Sequence, residues 1–305
     1  MHYPIVDAST WKTLGDESVG TKAKIWLLDD QEREWLFKHP RKNSGEHWAE
    51  KLGAEVAELI GIPHARVELA EWNGVLGSIS LNFTPDRSAG SLVLGNALLS
   101  SMPGYDKARK RPRLHSVDWI LAALNQAGIG RPADCSALPF VDTASDAFVG
   151  YLMLDAVIGN TDRHHENWGL LVRSSETGET AELAPSFDHA SSLGRELSDG
   201  ERTRRLDGRD RLATVDAYCM HGRSPLFSLG TGAHKLSVHQ AFARARELCH
   251  RAAEGWLALL MGVSPKELAE SVHKLPAAVA SAPARRFAWA MLESNRRHLS
   301  SLHSS

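Results

Sequence analysis

"GNTDRHHENWGLLV", residues 159–172, sets an aspartate, an arginine, two histidines, a glutamate and an asparagine side by side and then turns apolar at once. The stretch before it, "ASDAFVGYLMLDAVIG", reads as a helix, and "WGLLV" reads as a strand. The charged cluster therefore occupies a helix–strand junction. A hairpin centred on "ETGE" (residues 176–179) has its midpoint between Thr177 and Gly178. Counted outward, position 167 falls opposite position 188, where "SFDHASS" supplies an aspartate. Asn167 and Asp188 are then expected side by side at the open end of a buried hairpin, with Asp162 on the loop entering it, all facing a cleft.

Those residue types suit phosphoryl transfer. Mg²⁺ takes hard oxygen ligands and shares them with substrate phosphates. The Asp188 carboxylate and the Asn167 amide oxygen are such ligands, and Asp162 can orient an attacking hydroxyl and take its proton. A capping aspartate and a turn asparagine are the plainer explanation of an isolated D-x4-N. The full "DRHxxN", with Asp188 in register, favours chemistry. Adjacent histidines point in different directions and no third soft ligand is near, so His164 and His165 do not read as a metal pair. His164 is expected to orient the loop through hydrogen bonds, and His165 reads as a surface residue. Arg163 has two open partners, a carboxylate or a phosphate.

A phosphoryl-transfer site needs a cation for the nucleotide. Lys38 ends the apolar run "EWLFKH" (residues 34–39), which follows "AKIWLL" (residues 23–28) across a polar turn. A strand-end lysine either snorkels to water or binds phosphate. Upstream, "LGDESVGTKAK" places Gly15, Ser18, Val19 and Gly20 between two candidate strands, where backbone N–H groups can lie over phosphate oxygens. "GEHWAEKLGAEVAELIGI" reads as a helix ending at Gly61, with Pro63 beyond. Glu50 lies on its small-residue face with Ala54, Ala57 and Gly61 and is expected to reach Lys38. Glu55, bordering the apolar face, is the fallback. "ARVELAEW" and "VLGSISLNF", joined at Asn73–Gly74, read as a hairpin. Its exit, with Leu81 and Phe83, is placed by position alone as an adenine-binding hinge.

The fold class expected is α+β and bilobal, like a protein kinase. Residues 1–83 form a β-rich nucleotide-binding lobe and residues 84–305 a larger helical catalytic lobe. Helical patterns include "SVDWILAALNQAG", "HQAFARARELCHRAAEGWLALLMG" and "PARRFAWAMLESNRRHL". The chain has 305 residues, a net charge of -2 and a sequence pI near 6.7, which excludes a generally basic nucleic-acid coater. The basic stretch "KARKRPR" (residues 107–113) is either solvated surface or an attractor for an acidic substrate, and it lacks the interleaved aromatics of a single-strand binder. Direct nucleic-acid binding is not expected. Three scattered cysteines make neither a disulfide framework nor a zinc site and fit a reducing cytoplasm. No signal peptide or membrane span is read.

Together, "SVGTKAK", "LFKHPR", "GEHWAEKLGAEVAELIGI", "GNTDRHHENWGLL" and "PSFDHASSLG" resemble the HipA-like serine/threonine kinases, whose catalytic loop is shared in style with phosphatidylinositol kinases. The resemblance implies ATP and Mg²⁺, with Asp162 as base, Asn167 and Asp188 as metal ligands, Lys38 on the phosphates and Glu50 as its partner. It also implies autophosphorylation of the glycine-containing loop, for which Ser18 is the matching position. Toxins of this family phosphorylate aminoacyl-tRNA synthetases and are held by antitoxins, which makes both classes expected partners. Some fourteen residues precede Gly15, so the chain resembles the short form that lacks the extra N-terminal subdomain. An inositol-lipid kinase, a small-molecule kinase and a pseudokinase binding module stay open as alternatives.

Overall fold

The computed structural model describes residues 1–16, 24–84, 90–106, 108, 112–126, 128–175 and 178–303. The first part of the chain builds a six-stranded sheet in the order β1-β5-β6-β4-β3-β2. Its strands are β1 (Ile5–Asp7), β2 (Lys12–Asp16), β3 (Lys24–Leu28), β4 (Glu34–Lys38), β5 (Val67–Trp72) and β6 (Val75–Leu81). The β5–β6 turn takes positive φ at Asn73 (51°) and Gly74 (77°), the geometry that lets a two-residue turn follow the twist of its strands. β2 pairs antiparallel with β3, from Lys12 opposite Leu28 to Asp16 opposite Ile25. Gly15, expected between the two strands, lies inside β2 opposite Trp26, and Ser18, Val19 and Gly20 lie outside the described residues.

Helix α1 (Glu46–Ile60) packs on β5 and β6 and ends at Gly61 in the left-handed conformation, φ 82°. Its apolar residues Trp48, Leu52 and Val56 share one core with the helical part of the chain. At the centre of that core runs α4 (Ala144–Ile158), in which every residue but Asp146 is buried. A helix buried on nearly all sides has no solvent face to offer. Against it pack α3 (Val117–Leu124), α7 (Val238–Leu248), α8 (His250–Gly262) and α10 (Ala282–His303), while α2 (Gly95–Leu99) packs on α3, and α5 (Asp199–Asp207), α6 (Val215–His221) and α9 (Pro265–His273) pack on α10. Among the described residues no helix is long and apolar enough to cross a membrane.

The segment after residue 84, expected as a helical lobe, also holds strands. β7 (Gly90–Leu94) pairs with β9 (Gly169–Ser175), which pairs with β10 (Gly178–Leu183), and β8 (Ile129–Gly130) closes a four-stranded sheet in the order β7-β9-β10-β8. A two-stranded ribbon of β11 (Arg223–Phe227) and β12 (Lys235–Ser237) completes the fold.

The hairpin count needs a correction. Gly178 pairs with Ser175 and Leu183 with Leu170, so position 167 extends to a place opposite 186, two residues short of Asp188. A slip of two keeps the same sheet face, because side chains alternate with period two. Asp188 lies beyond the ladder, on a backbone turned to φ 59°.

Candidate active site

The loop that leaves α4 is organised from below. Gly159 ends the helix with φ 66°, and a side chain there would strike Met291 at 2.9 Å. Arg163, fully buried, then folds back under the loop. Its Nε donates to Asp155 Oδ2 at 2.8 Å and its Nη2 to Asp155 Oδ1 at 2.7 Å. The remaining donors reach the Asn167 carbonyl at 2.9 Å, the Phe187 carbonyl at 3.2 Å and Ser186 Oγ at 3.0 Å. One guanidinium thus ties the end of α4, the catalytic-type loop and the segment before Asp188 into a single unit. The sequence left its partner open, and the structure assigns it a carboxylate. Burial works against its charge, and Asp155 outweighs that and holds its pKa above the ordinary arginine value.

Asp162 and Asn167 stand on this base. The Asp162 carbonyl accepts from the His164 N–H at 2.7 Å and from Asn167 Nδ2 at 2.7 Å. The Asn167 amide nitrogen is thereby committed inward, which leaves its oxygen as the pole to offer a cation. His164 Nδ1 accepts the Glu166 N–H at 3.1 Å, so in the neutral ring Nε2 carries the proton; it sits 4.0 Å from Asp162 Oδ2. His165 is not at the surface. It is fully buried, with Nδ1 2.7 Å from Tyr105 Oη and its ring against His115. The two adjacent rings do point apart, but Tyr105 and His115 cover the side of His165 that would otherwise be open. Asn96 N–H, at the start of α2, donates to the His165 carbonyl at 2.8 Å.

Across the cleft, Lys38 Nζ lies 3.2 Å from Glu50 Oε1 and 3.4 Å from Asp188 Oδ1. Glu50 is therefore the helix carboxylate that meets Lys38, and Glu55 pairs with Lys51 at 2.7 Å instead. Lys51 had drawn no attention in the sequence. It is buried and also donates to the Val67 carbonyl and to Glu68, both at 2.8 Å, fastening α1 to β5. Burial works against the Lys38 ammonium, yet Asp188 and Glu50 outweigh it and hold its pKa above the ordinary lysine value. Burial pushes Glu50 up; Lys38 pulls it down and Asp188 adds to the rise.

The segment carrying Asp188 is stitched to the exit of α1. Ser186 N–H donates to the Pro63 carbonyl and Ala65 N–H to the Ser186 carbonyl, each at 2.9 Å. Phe187 rests against Phe83, ring centres 5.8 Å apart. Of the two hinge residues, Leu81 has its N–H committed to the Arg66 carbonyl at 2.9 Å, inside the sheet. Phe83 follows β6 and closes over Phe187.

The sequence pattern of the HipA-like C-terminal domain matches residues 17–256, a span that includes every one of these groups. The chain belongs to that family. This HipA-like chain shares its fold with the Helicobacter pylori proinflammatory kinase CtkA: 18% identity, 99% of this chain and 98% of that one covered, TM-score 0.77. HipA of Shewanella oneidensis MR-1, in a complex with HipB and operator DNA, aligns at 11% identity over 100% of this chain and 70% of that one, TM-score 0.48. The Golgi casein kinase with Mn/ADP bound aligns at 13% identity over 98% and 73%, TM-score 0.46. No curated protein matches the chain.

Among the described residues no group of three or more His, Cys, Asp and Glu side chains makes a metal site in the HipA-like chain. The donors at hand are the Asp188 carboxylate and the Asn167 amide oxygen. That set suits Mg²⁺, which binds through one or two protein oxygens and takes the rest from phosphates and water. The charge fits as well: Lys38 is one cation set against two carboxylates, with Asp162 on the facing loop, so the cleft has negative charge to spare for a cation.

Proposed function

We propose that this HipA-like protein is an ATP- and Mg²⁺-dependent kinase that phosphorylates serine or threonine hydroxyls of a protein. The observation that carries the reading is that Lys38 stands between Glu50 and Asp188, while Arg163 fixes Asp162 and Asn167 to the same segment that presents Asp188. Lys38, held forward by Glu50, takes the nucleotide phosphates. Asn167 and Asp188 hold Mg²⁺, which when bound neutralises charge on the transferring phosphoryl group. Asp162 accepts the proton of the attacking hydroxyl, and His164, 4.0 Å away, keeps its carboxylate in place. Ser18, Val19 and Gly20, which lie outside the described residues, are assigned to phosphate binding on family membership alone, and a phosphate added to Ser18 would compete with the nucleotide phosphates there. Phe83 bounds the adenine end of the cleft.

Family membership supports a protein acceptor, and it is the sole support for an aminoacyl-tRNA synthetase as substrate and an antitoxin as partner. The deciding experiment is phosphoproteomics after brief expression of the wild type beside D162N. New phosphoserine or phosphothreonine in the wild type alone is the expected result. Identical phosphoproteomes, with transfer to inositol lipids or small molecules in vitro, would replace the protein-kinase reading.

A further inference from the structure

Helix α1 begins on Gly45, which has no side chain to cap it. Among the described residues, helices preceded by serine or threonine are capped by it, as by Thr143, Ser198 and Ser264. The start of α1 is held from two sides, by Arg41 just before it, whose Nη1 lies 3.2 Å from Glu46 Oε1, and by the distant segment that follows Asp188. Gly45 N–H donates to the Arg195 carbonyl at 2.9 Å. Arg195 Nη1 lies 2.6 Å from Glu46 Oε1, and the same guanidinium reaches Ser44 Oγ and Ser191 Oγ, each at 3.3 Å. Glu46 is buried, and its second oxygen accepts the Arg41 N–H at 2.9 Å. Trp48 lies over Gly45 so closely that a side chain there would meet the indole at 2.2 Å, and the Arg202 guanidinium stands 5.7 Å from the Trp48 ring.

Residues 46, 50 and 53 fall on one face of the helix, since side chains four and three apart stack along it. Each meets the Asp188–Arg195 segment. Glu46 takes Arg195, Glu50 takes Lys38 and through it Asp188, and Gly53 lets the His189 Cβ approach to 2.8 Å of where its own Cβ would be. Glu46 and Glu50 are one helical turn apart, so the position of one sets the position of the other.

We infer that Arg195 is a positioning residue for nucleotide binding: by holding Glu46 it fixes the first turn of α1 and keeps Glu50 against Lys38. The inference rests on the kinase reading above.

The test is a double-mutant cycle read by calorimetric titration of Mg²⁺–ATP into the purified full chain, which needs no acceptor. R195A is expected to weaken binding about tenfold, E50Q to weaken it comparably, and R195A/E50Q to be no weaker than E50Q alone, because coupled residues do not add. A purely structural role for Arg195 would give additive losses, and additivity overturns the inference. So does wild-type affinity in R195A. If R195A fails to fold, the nearly isosteric E46Q carries the same cycle and is judged by the same two outcomes. A wild type that binds no ATP overturns the kinase reading and the inference with it, whereas tight wild-type binding with an indifferent R195A overturns the inference alone.

Discussion

Arg163 and Asp155 form a two-pronged ion pair, 2.7 and 2.8 Å, with neither partner open to solvent. The pair sits at the junction of the central helix and the loop that bears Asp162. Its carboxylate oxygen also accepts Asn160 Nδ2 at 2.8 Å, so it organises the loop from its first residue. Breaking one side of a buried pair leaves the other charge uncompensated, which typically costs about 3–5 kcal/mol.

D155N should therefore destabilise the protein by about 3–5 kcal/mol, measured as a lower denaturant midpoint at unchanged slope. Any residual folded D155N should lose phosphoryl transfer, because Asn167 and the segment before Asp188 are held by the same guanidinium. A stability loss under about 1 kcal/mol would place the pair among those that contribute little.

D162N should lower kcat by about 10²–10⁴-fold, the usual contribution of a positioned general base, and leave ATP affinity within about twofold. The base acts on the acceptor hydroxyl, away from the nucleotide. Autophosphorylation measured by intact mass, beside calorimetric ATP titration, separates the two effects. Parallel losses in both would move Asp162 from proton acceptor to metal ligand.

Acid should destabilise the fold through His115. Burial first, then the charges of His165 and His164, push its pKa down from 6.5 to about 3. The folded state thus keeps this ring neutral while the unfolded chain protonates it below 6.5. Its contribution is present above pH 6.5 and is lost as pH falls toward 3, at about 1.4 kcal/mol per pH unit. Trp168 Nε1 donates to His115 Nε2 at 3.3 Å, so H115N is a milder replacement than an apolar one. Denaturation between pH 4 and 6.5 should show a shallower acid dependence in H115N than in the wild type. Equal slopes would assign the acid sensitivity to His189 and His239, whose pKa values burial also lowers.

Local patterns carried much of this architecture, and long-range ones did not. Asn73–Gly74 and the stride of α1 are set by residues next to one another, and both elements formed where their sequences place them. The α7–α8 break at Cys249 was invisible because the buried stride of Ala241, Phe242 and Ala245 continues in phase to Ala252, Ala253 and Trp256. The Asn167–Asp188 register slipped by two because the count assumed a turn centre that the ladder does not use. Asp155 carried a readable signal, an acid deep in an apolar helix whose other aspartate, Asp146, sits in the first turn. The Glu46–Arg195 contact joins positions 149 apart, and no pattern in one sequence announces it.

Asp188 combines a functional charge with a backbone that few residues tolerate, and variants should separate the two. Its φ of 59° is left-handed, where aspartate and asparagine are at ease and alanine is strained by roughly 1–2 kcal/mol. D188N keeps the backbone and removes the charge. It should leave thermal stability close to wild type while raising the Mg²⁺ concentration needed for nucleotide binding by tenfold or more, about 1.4 kcal/mol or above. D188A should show the same Mg²⁺ requirement with an added drop in stability. N167A should raise the requirement less, since it removes a neutral ligand rather than a charged one. The measurement is ATP titration across a Mg²⁺ series, with thermal melts of each variant as the backbone control. If D188N needs no more Mg²⁺ than the wild type, its carboxylate serves Lys38 alone, and the cation must be held elsewhere on the facing loop.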